Sequence, residues 1–258
     1  MALTDLGLLT LVTASFVLEA IVGFGSTVVV VTLGAHFLPL DALLPRYVPV
    51  SLVLSTWLMA RGFGTIAWGV LLRRVLPFTA LGMGLGLSVP GTVDRRWLLG
   101  GFGLLVTALA APEVRAFARR LRSGGAQGVP VEVVPLSRPL AAVVLTGAGV
   151  VHGLFGSGGP LVVYYLGREM LDKSVFRATL STLWVVLSVV LCVSFVERGV
   201  LTVDVLGQAA PLLLAVVLGG AIGERLHARV DVQVFRMVVF SVLALAGISL
   251  ALRNLLAS

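Results

Sequence analysis

Residues 19–29 read EAIVGFGSTVV and residues 152–163 read HGLFGSGGPLVV. Each stretch joins one ionisable side chain, Glu19 or His152, to a cluster of small residues. The clusters are Gly23, Gly25, Ser26 and Thr27 in the first stretch and Gly156, Ser157, Gly158 and Gly159 in the second. Glycine has no Cβ, so it turns the chain at positive φ and leaves amide N–H groups uncovered. A helix that begins at such a turn aims those amides, and the positive end of its dipole, at one point, which suits an anion. Ser26, Thr27 and Ser157 add hydroxyl donors, and Pro160 is compatible with a first helical turn. Glu19 and His152 can relay protons or balance substrate charge. Arg177 opens RATLSTL, where Thr179, Ser181 and Thr182 supply hydroxyls. A guanidinium with hydroxyls can grip an oxyanion through charge-assisted bonds, and Arg46 holds the corresponding place in the first half of the chain. Arginines at segment ends also serve as interface anchors, as interfacial tyrosines such as Tyr164 and Tyr165 do.

The elements that must position these residues are apolar. Of 258 residues 58% are hydrophobic and 12% charged, with a mean hydropathy of +1.08, against the roughly 25% charge of an average soluble domain. The composition is that of an integral membrane protein. Apolar runs near 45–60, 66–90, 97–111, 174–196, 203–223 and 234–252 approach the ~20 residues that cross a bilayer as a helix. Two longer runs, 6–34 and 139–167, contain the glycine clusters. The runs lack strict alternation, so helices are expected rather than a barrel: an all-α polytopic protein of eight hydrophobic segments. MALTDLGLLTL has no Lys or Arg ahead of its apolar stretch, so the first segment is expected to be retained. Cys192 is the single cysteine, which excludes an intramolecular disulfide and a cysteine metal cluster. The net charge of +7 sits mostly at segment ends, where it marks the cytoplasmic side and not a nucleic-acid partner.

The two halves resemble each other. A shift of 133 residues lays Gly23 on Gly156, Gly25 on Gly158 and Glu19 on His152; a shift of 131 lays Arg46 on Arg177; a shift of 137 lays Gly82 and Gly86 on Gly219 and Gly223. The last four glycines read as helix-packing positions. Residues 1–111 are thus one membrane repeat and 139–258 the other, joined by a basic linker, 112–138, expected to hold a short cytoplasmic helix and a Gly-rich stretch. If 6–34 and 139–167 each dip into the membrane and return, with two half-helices meeting mid-membrane, each half adds three full crossings and the repeats are inverted. Arg61, Arg73, Arg74, the arginines of 115–138, Arg168, Lys173, Arg177, Arg225, Arg229 and Arg236 then lie inside, fourteen of the 19 Lys and Arg. Single crossings by the two long segments would instead divide the charges almost evenly. The positive-inside rule favours the inverted arrangement. The competing arrangement is a long tilted helix broken at the glycines.

GFGST, GSGGP, RATLSTL, the basic central loop and the two-half layout together resemble the TauE/SafE sulfite exporter family, over nearly the whole chain. The resemblance implies a multi-pass permease of the bacterial inner membrane that moves sulfite or organosulfur anions. Its expected partners are the anion and the lipid bilayer, with a homodimer left open, no cofactor and no metal. Two other readings compete. A cation permease could use Glu19 and unwound carbonyls, but 19 is the one deep carboxylate position. An intramembrane hydrolase could use Ser157 with His152, but a catalytic base usually reaches its serine from another element.

Cysteine labelling at introduced sites tests the charge argument. Position 126 should react from the cytoplasm and positions 3 and 256 from outside; reaction of 256 from the cytoplasm would exclude inverted repeats.

Overall fold

The computed structural model describes residues 3–34, 38–89, 94–122, 135–169, 172–227, 241, 244–245, 247–252 and 254–255. The Gly-rich part of the linker and much of the run 234–252 lie outside these. Among the described residues there is no strand. The helices are α1 (Leu3–Val22), α2 (Ser26–Gly34), α3 (Leu40–Arg61), α4 (Trp68–Leu87), α5 (Arg95–Arg122), α6 (Arg138–Phe155), α7 (Gly159–Glu169), α8 (Lys173–Glu197) and α9 (Val203–His227). Of these α3, α4, α6, α8 and α9 are long and apolar enough to cross a membrane, and Leu6–Val22 and Arg96–Pro112 are shorter apolar stretches.

Both long runs are interrupted at their glycines, at residues 23–25 and 156–158. The chain reverses there. Leu161 lies beside Gly147, its Cδ1 3.8 Å from where a Cβ on that glycine would sit. In a continuous helix two residues so far apart in sequence would be ~21 Å apart. The arms of each hairpin are unequal: α1 has 20 residues and α2 has 9, α6 has 18 and α7 has 11. At 1.5 Å per residue α1 is about 30 Å long, so the breaks sit well past the middle of each run and not at its centre. The glycines, not the midpoint of the apolar run, decide where the helix stops. The basic segment after residue 111 also differs from expectation. It forms no separate helix but continues α5 through Pro112 to Arg122. One proline removes one backbone bond, and the helix accommodates it as α3 does Pro45 and Pro49.

The chain forms two compact units. The first holds Met1–Val89 and Arg138–Arg229, the second Pro90–Ser137 and Val230–Ser258. Each draws on both halves of the sequence. In the second, a Cβ on Gly103 would meet the carbonyl of Gly247 at 2.6 Å and the amide of Ala251 at 2.7 Å, so α5 and the C-terminal segment touch backbone to backbone.

In the first unit the two most extensive helix pairings exchange partners between halves: α4 packs on α6, and α9 packs on α1. Both use small residues four apart, which let backbones approach closely. Gly82 and Gly86 face Thr146 and Val150, while Gly149 and Gly153 of α6 face Thr79, Met83 and Leu87 in return. Gly219 and Gly223 face Thr13, Phe16, Val17 and Ala20. The third large pairing joins α3 to α8. Polar contacts join helix ends. Glu224 of α9 pairs with Arg177 and, at 3.6 Å, with Arg61; Arg74 pairs with Glu169 at 2.9 Å; Arg198 donates to the Leu87 carbonyl at 2.6 Å. α8 starts at a true cap, Asp172, whose carboxylate accepts from the amides of Ser174 and Val175.

These contacts predict unequal outcomes for two nearby glycines. A Gly149→Val side chain would strike the Thr79 carbonyl and the Met83 amide and should cost about 1–3 kcal/mol or more. Gly84→Ala meets nothing within 4 Å and should be neutral or stabilise by up to about 1 kcal/mol. Thermal unfolding in detergent reads both.

Candidate functional site

Each hairpin turn is made by glycines for two different reasons. Gly23 (φ 87°), Gly25 (φ 103°) and Gly156 (φ 65°) hold positive φ, which other residues rarely adopt. Gly158 does not. Its Cβ would instead collide with the carbonyl of Ala148 and crowd His152, because the chain doubles back there, so the expectation of a positive φ at that residue is replaced by close approach. Gly23 also carries the second constraint, since a Cβ would lie 3.0 Å from Arg177 Cα.

Glu19 and His152 occupy equivalent places, one helical turn before the two breaks. The Glu19 carbonyl accepts from the Gly23 amide at 2.6 Å and the His152 carbonyl from the Gly156 amide at 2.7 Å. Both side chains are 3% exposed. The Glu19 carboxylate accepts from Ser26 at the start of α2 and from Ser55 of α3 at 2.8 Å. Tyr47, fully buried against Phe16, donates to Ser26 at 2.7 Å and so turns the Ser26 proton toward Glu19. His152 accepts at Nδ1 from the Gly158 amide, 3.4 Å away, and its ring stacks on Trp184 with centroids 5.7 Å apart and planes 8° from parallel. Trp184 in turn donates its indole N–H to the Gly23 carbonyl at 2.8 Å. One side chain therefore touches both breaks. Nε2 of His152 and Oγ of Ser157 are buried without a hydrogen-bond partner among the described residues. Glu19 and His152 consequently do not bond each other.

These groups surround a cavity of about 20 Å³. The first hairpin lines it with Glu19, Phe24, Gly25, Ser26, Thr27 and Val28, the second with His152, Gly156, Ser157 and Gly159. α3 adds Ser51 and Ser55, and α8 adds Trp184 and Ser188. Both α2 and α7 begin at its wall. The space suits a water or a species of a few atoms, not a drug-sized ligand.

The remaining site candidates stand elsewhere. Gly23 and Gly158 shape the turns without lining the cavity. Arg177 donates to the Ala20 carbonyl at 2.8 Å and pairs with Glu224, so its guanidinium is engaged in holding the end of α1. Thr179 accepts from the Ala67 amide at 3.0 Å. Arg46 is half-buried in α3 and outside the lining, which contains no Lys or Arg. Tyr165 is buried and Tyr164 exposed beneath the Arg168 guanidinium at 3.7 Å; neither reaches the cavity.

Sequence reasoning missed Tyr47, Ser51, Ser55, Trp184 and Ser188. A signal was present. The same 133-residue shift that pairs Glu19 with His152 pairs Ser51 with Trp184 and Ser55 with Ser188. These positions are four apart on one face of each helix.

Two glycine-broken helical hairpins enclosing a buried polar cavity, among helices long enough to cross a bilayer, define a multi-pass membrane protein of the broken-helix kind. The chain belongs to the family described as Sulfite exporter TauE/SafE, whose family model matches residues 7–250. That family is one of membrane transporters. Neither the comparison with curated proteins nor that with solved structures returned a match.

Trp184→Phe isolates the tie between the breaks. It keeps a ring for His152 to stack on but removes the donor to the Gly23 carbonyl, and should cost about 1–3 kcal/mol in thermal unfolding.

Proposed function

We propose that the protein is a secondary transporter of small anions, of the sulfite or organosulfur class, working by alternating access around the cavity between the hairpins. The observation that carries this reading is the pair of buried, unpartnered groups, His152 Nε2 and Ser157 Oγ, at a cavity where two helices begin. Because the Gly158 amide donates to Nδ1, the neutral ring carries its proton on Nε2. Two donors thus lack an acceptor, and buried donors left unmade are costly. A bound anion supplies the acceptor, and the N-termini of α2 and α7 add their favourable potential. The same donors disfavour a cation.

Substrate contacts are assigned to Gly25, Ser26, Thr27, Gly156, Ser157 and Gly159, with Gly23 and Gly158 shaping the turns. Glu19 and His152 couple charge or protons to the movement. The exchanged pairings, α1 with α9 and α4 with α6, give each hairpin one rigid companion, so rocking of the two pairs would open the cavity to either side in turn. The bacterial inner membrane is the proposed location.

Flux into proteoliposomes decides between readings. Sulfite, thiosulfate or sulfoacetate should move and a divalent cation should not; cation flux alone would overturn the proposal. Ser157→Ala should lower anion flux roughly tenfold, the worth of one hydrogen bond to a charged group. Gly158→Val should abolish it.

A further inference from the structure

The cavity wall is chemically divided. The second half of the chain presents donors, the Nε2–H of His152 and the hydroxyl of Ser157. The first half presents an acceptor, the Glu19 carboxylate, one of whose oxygens takes Ser26 and the other Ser55. A carboxylate oxygen has two acceptor directions, so each retains one. Among the described residues no Lys or Arg lines the wall to offset this charge. In a cavity of about 20 Å³ any bound anion lies within a few ångströms of Glu19. Two like charges that close, away from water, repel strongly. A ligand satisfies both walls only if it carries acceptor oxygens on one side and an acidic O–H on the other.

We propose that the site takes a small oxyanion together with one proton, held as an O–H between the ligand and Glu19, so that hydrogen oxyanions bind and anions of similar size without such a proton are rejected. The inference rests on the anion-carrier reading. Each anion then enters with one proton, and anion and proton move together. The groups around Glu19 are consistent with this. Tyr47 on α3 and Ser26 on α2 direct hydroxyl protons toward the carboxylate. On α8 and α9 the charged neighbours are Arg177, paired with Glu224, and His227, whose Nδ1 lies 2.6 Å from the Ile21 carbonyl; these bind backbone beyond Glu19, not its carboxylate. His152 on α6 lines the same cavity, and its Nε2, without a partner among the described residues, is a donor.

Isothermal titration of the full-length protein in detergent at mildly acidic pH tests the idea with four probes. Hydrogen sulfite and hydrogen phosphite carry an acidic O–H; methanesulfonate and sulfate are similar in size and carry none. The first pair should bind more tightly than the second by roughly tenfold or more. Glu19→Gln replaces one acceptor oxygen by an amide donor and should shift the preference toward methanesulfonate by a similar factor. At alkaline pH, where sulfite is the dianion, its binding to the wild type should take up one proton, read with a pH indicator in weak buffer. That measurement decides the matter even if Glu19→Gln does not fold. Equal affinity for all four anions, an unchanged order in a folded Glu19→Gln, or no proton uptake overturns the proton-sharing inference while leaving an anion site. Binding of none of the four overturns the anion-carrier reading as well.

Discussion

A helix that ends in the protein interior leaves carbonyl and amide groups that water cannot reach, and the whole arrangement depends on which neighbours bond them. At the end of α1 the neighbours are side chains of α8 and α9. Arg177 bonds the Ala20 carbonyl, His227 lies at the Ile21 carbonyl and Trp184 bonds the Gly23 carbonyl. Three of the four carbonyls from residue 20 to residue 23 thus have partners drawn from the other half of the chain. The second break is different. Its Gly158 amide finds His152 Nδ1, but His152 Nε2 and Ser157 Oγ have no partner among the described residues. One break is closed by protein, and the other leaves two buried polar atoms at the cavity without a partner among the described residues.

This inequality makes the cavity asymmetric although its wall comes from matching positions. Glu19 stands where His152 does, Ser51 where Trp184 does and Phe24 where Ser157 does, under a single shift of the sequence. The first half surrounds its acid with hydroxyls, from Ser26, Ser55 and, through Ser26, Tyr47. The second stacks its base on an indole. Positions matched by that shift therefore supply opposite hydrogen-bonding characters to one small space.

Composition and glycine placement made much of this legible. Apolar runs announce helices because backbone groups in lipid must be bonded within the segment, and the breaks fall at GFG and GSG because only glycine tolerates the turns. Glu19 and His152, singled out as ionisable groups within apolar runs, are both buried. What stayed hidden depends on contacts between segments. Arg177 read as an anion ligand because nothing in RATLSTL reveals Glu224 or the Ala20 carbonyl as its partners. Trp184 lay unremarked in the apolar run 174–196, since its role lies in touching Gly23 and His152 at once. The extent of α5 was misjudged because Pro112 and the following arginines look like an ending, while helix propagation across a single missing hydrogen bond depends on the surroundings.

The exchange of packing partners between halves has a bearing on biogenesis. Phe16 of the first hairpin meets its close-packed counterpart at Gly219, and the glycine face of α4 meets Gly149 and Gly153 of α6. During synthesis from the N-terminus, α1 is complete long before Arg177 and His227, the residues whose side chains meet its carbonyl end, exist. The nascent first hairpin must wait without these partners until the second half emerges. Folding of this chain is therefore a late, non-local event, and the interval before it is when an incomplete chain is most open to misassembly and degradation.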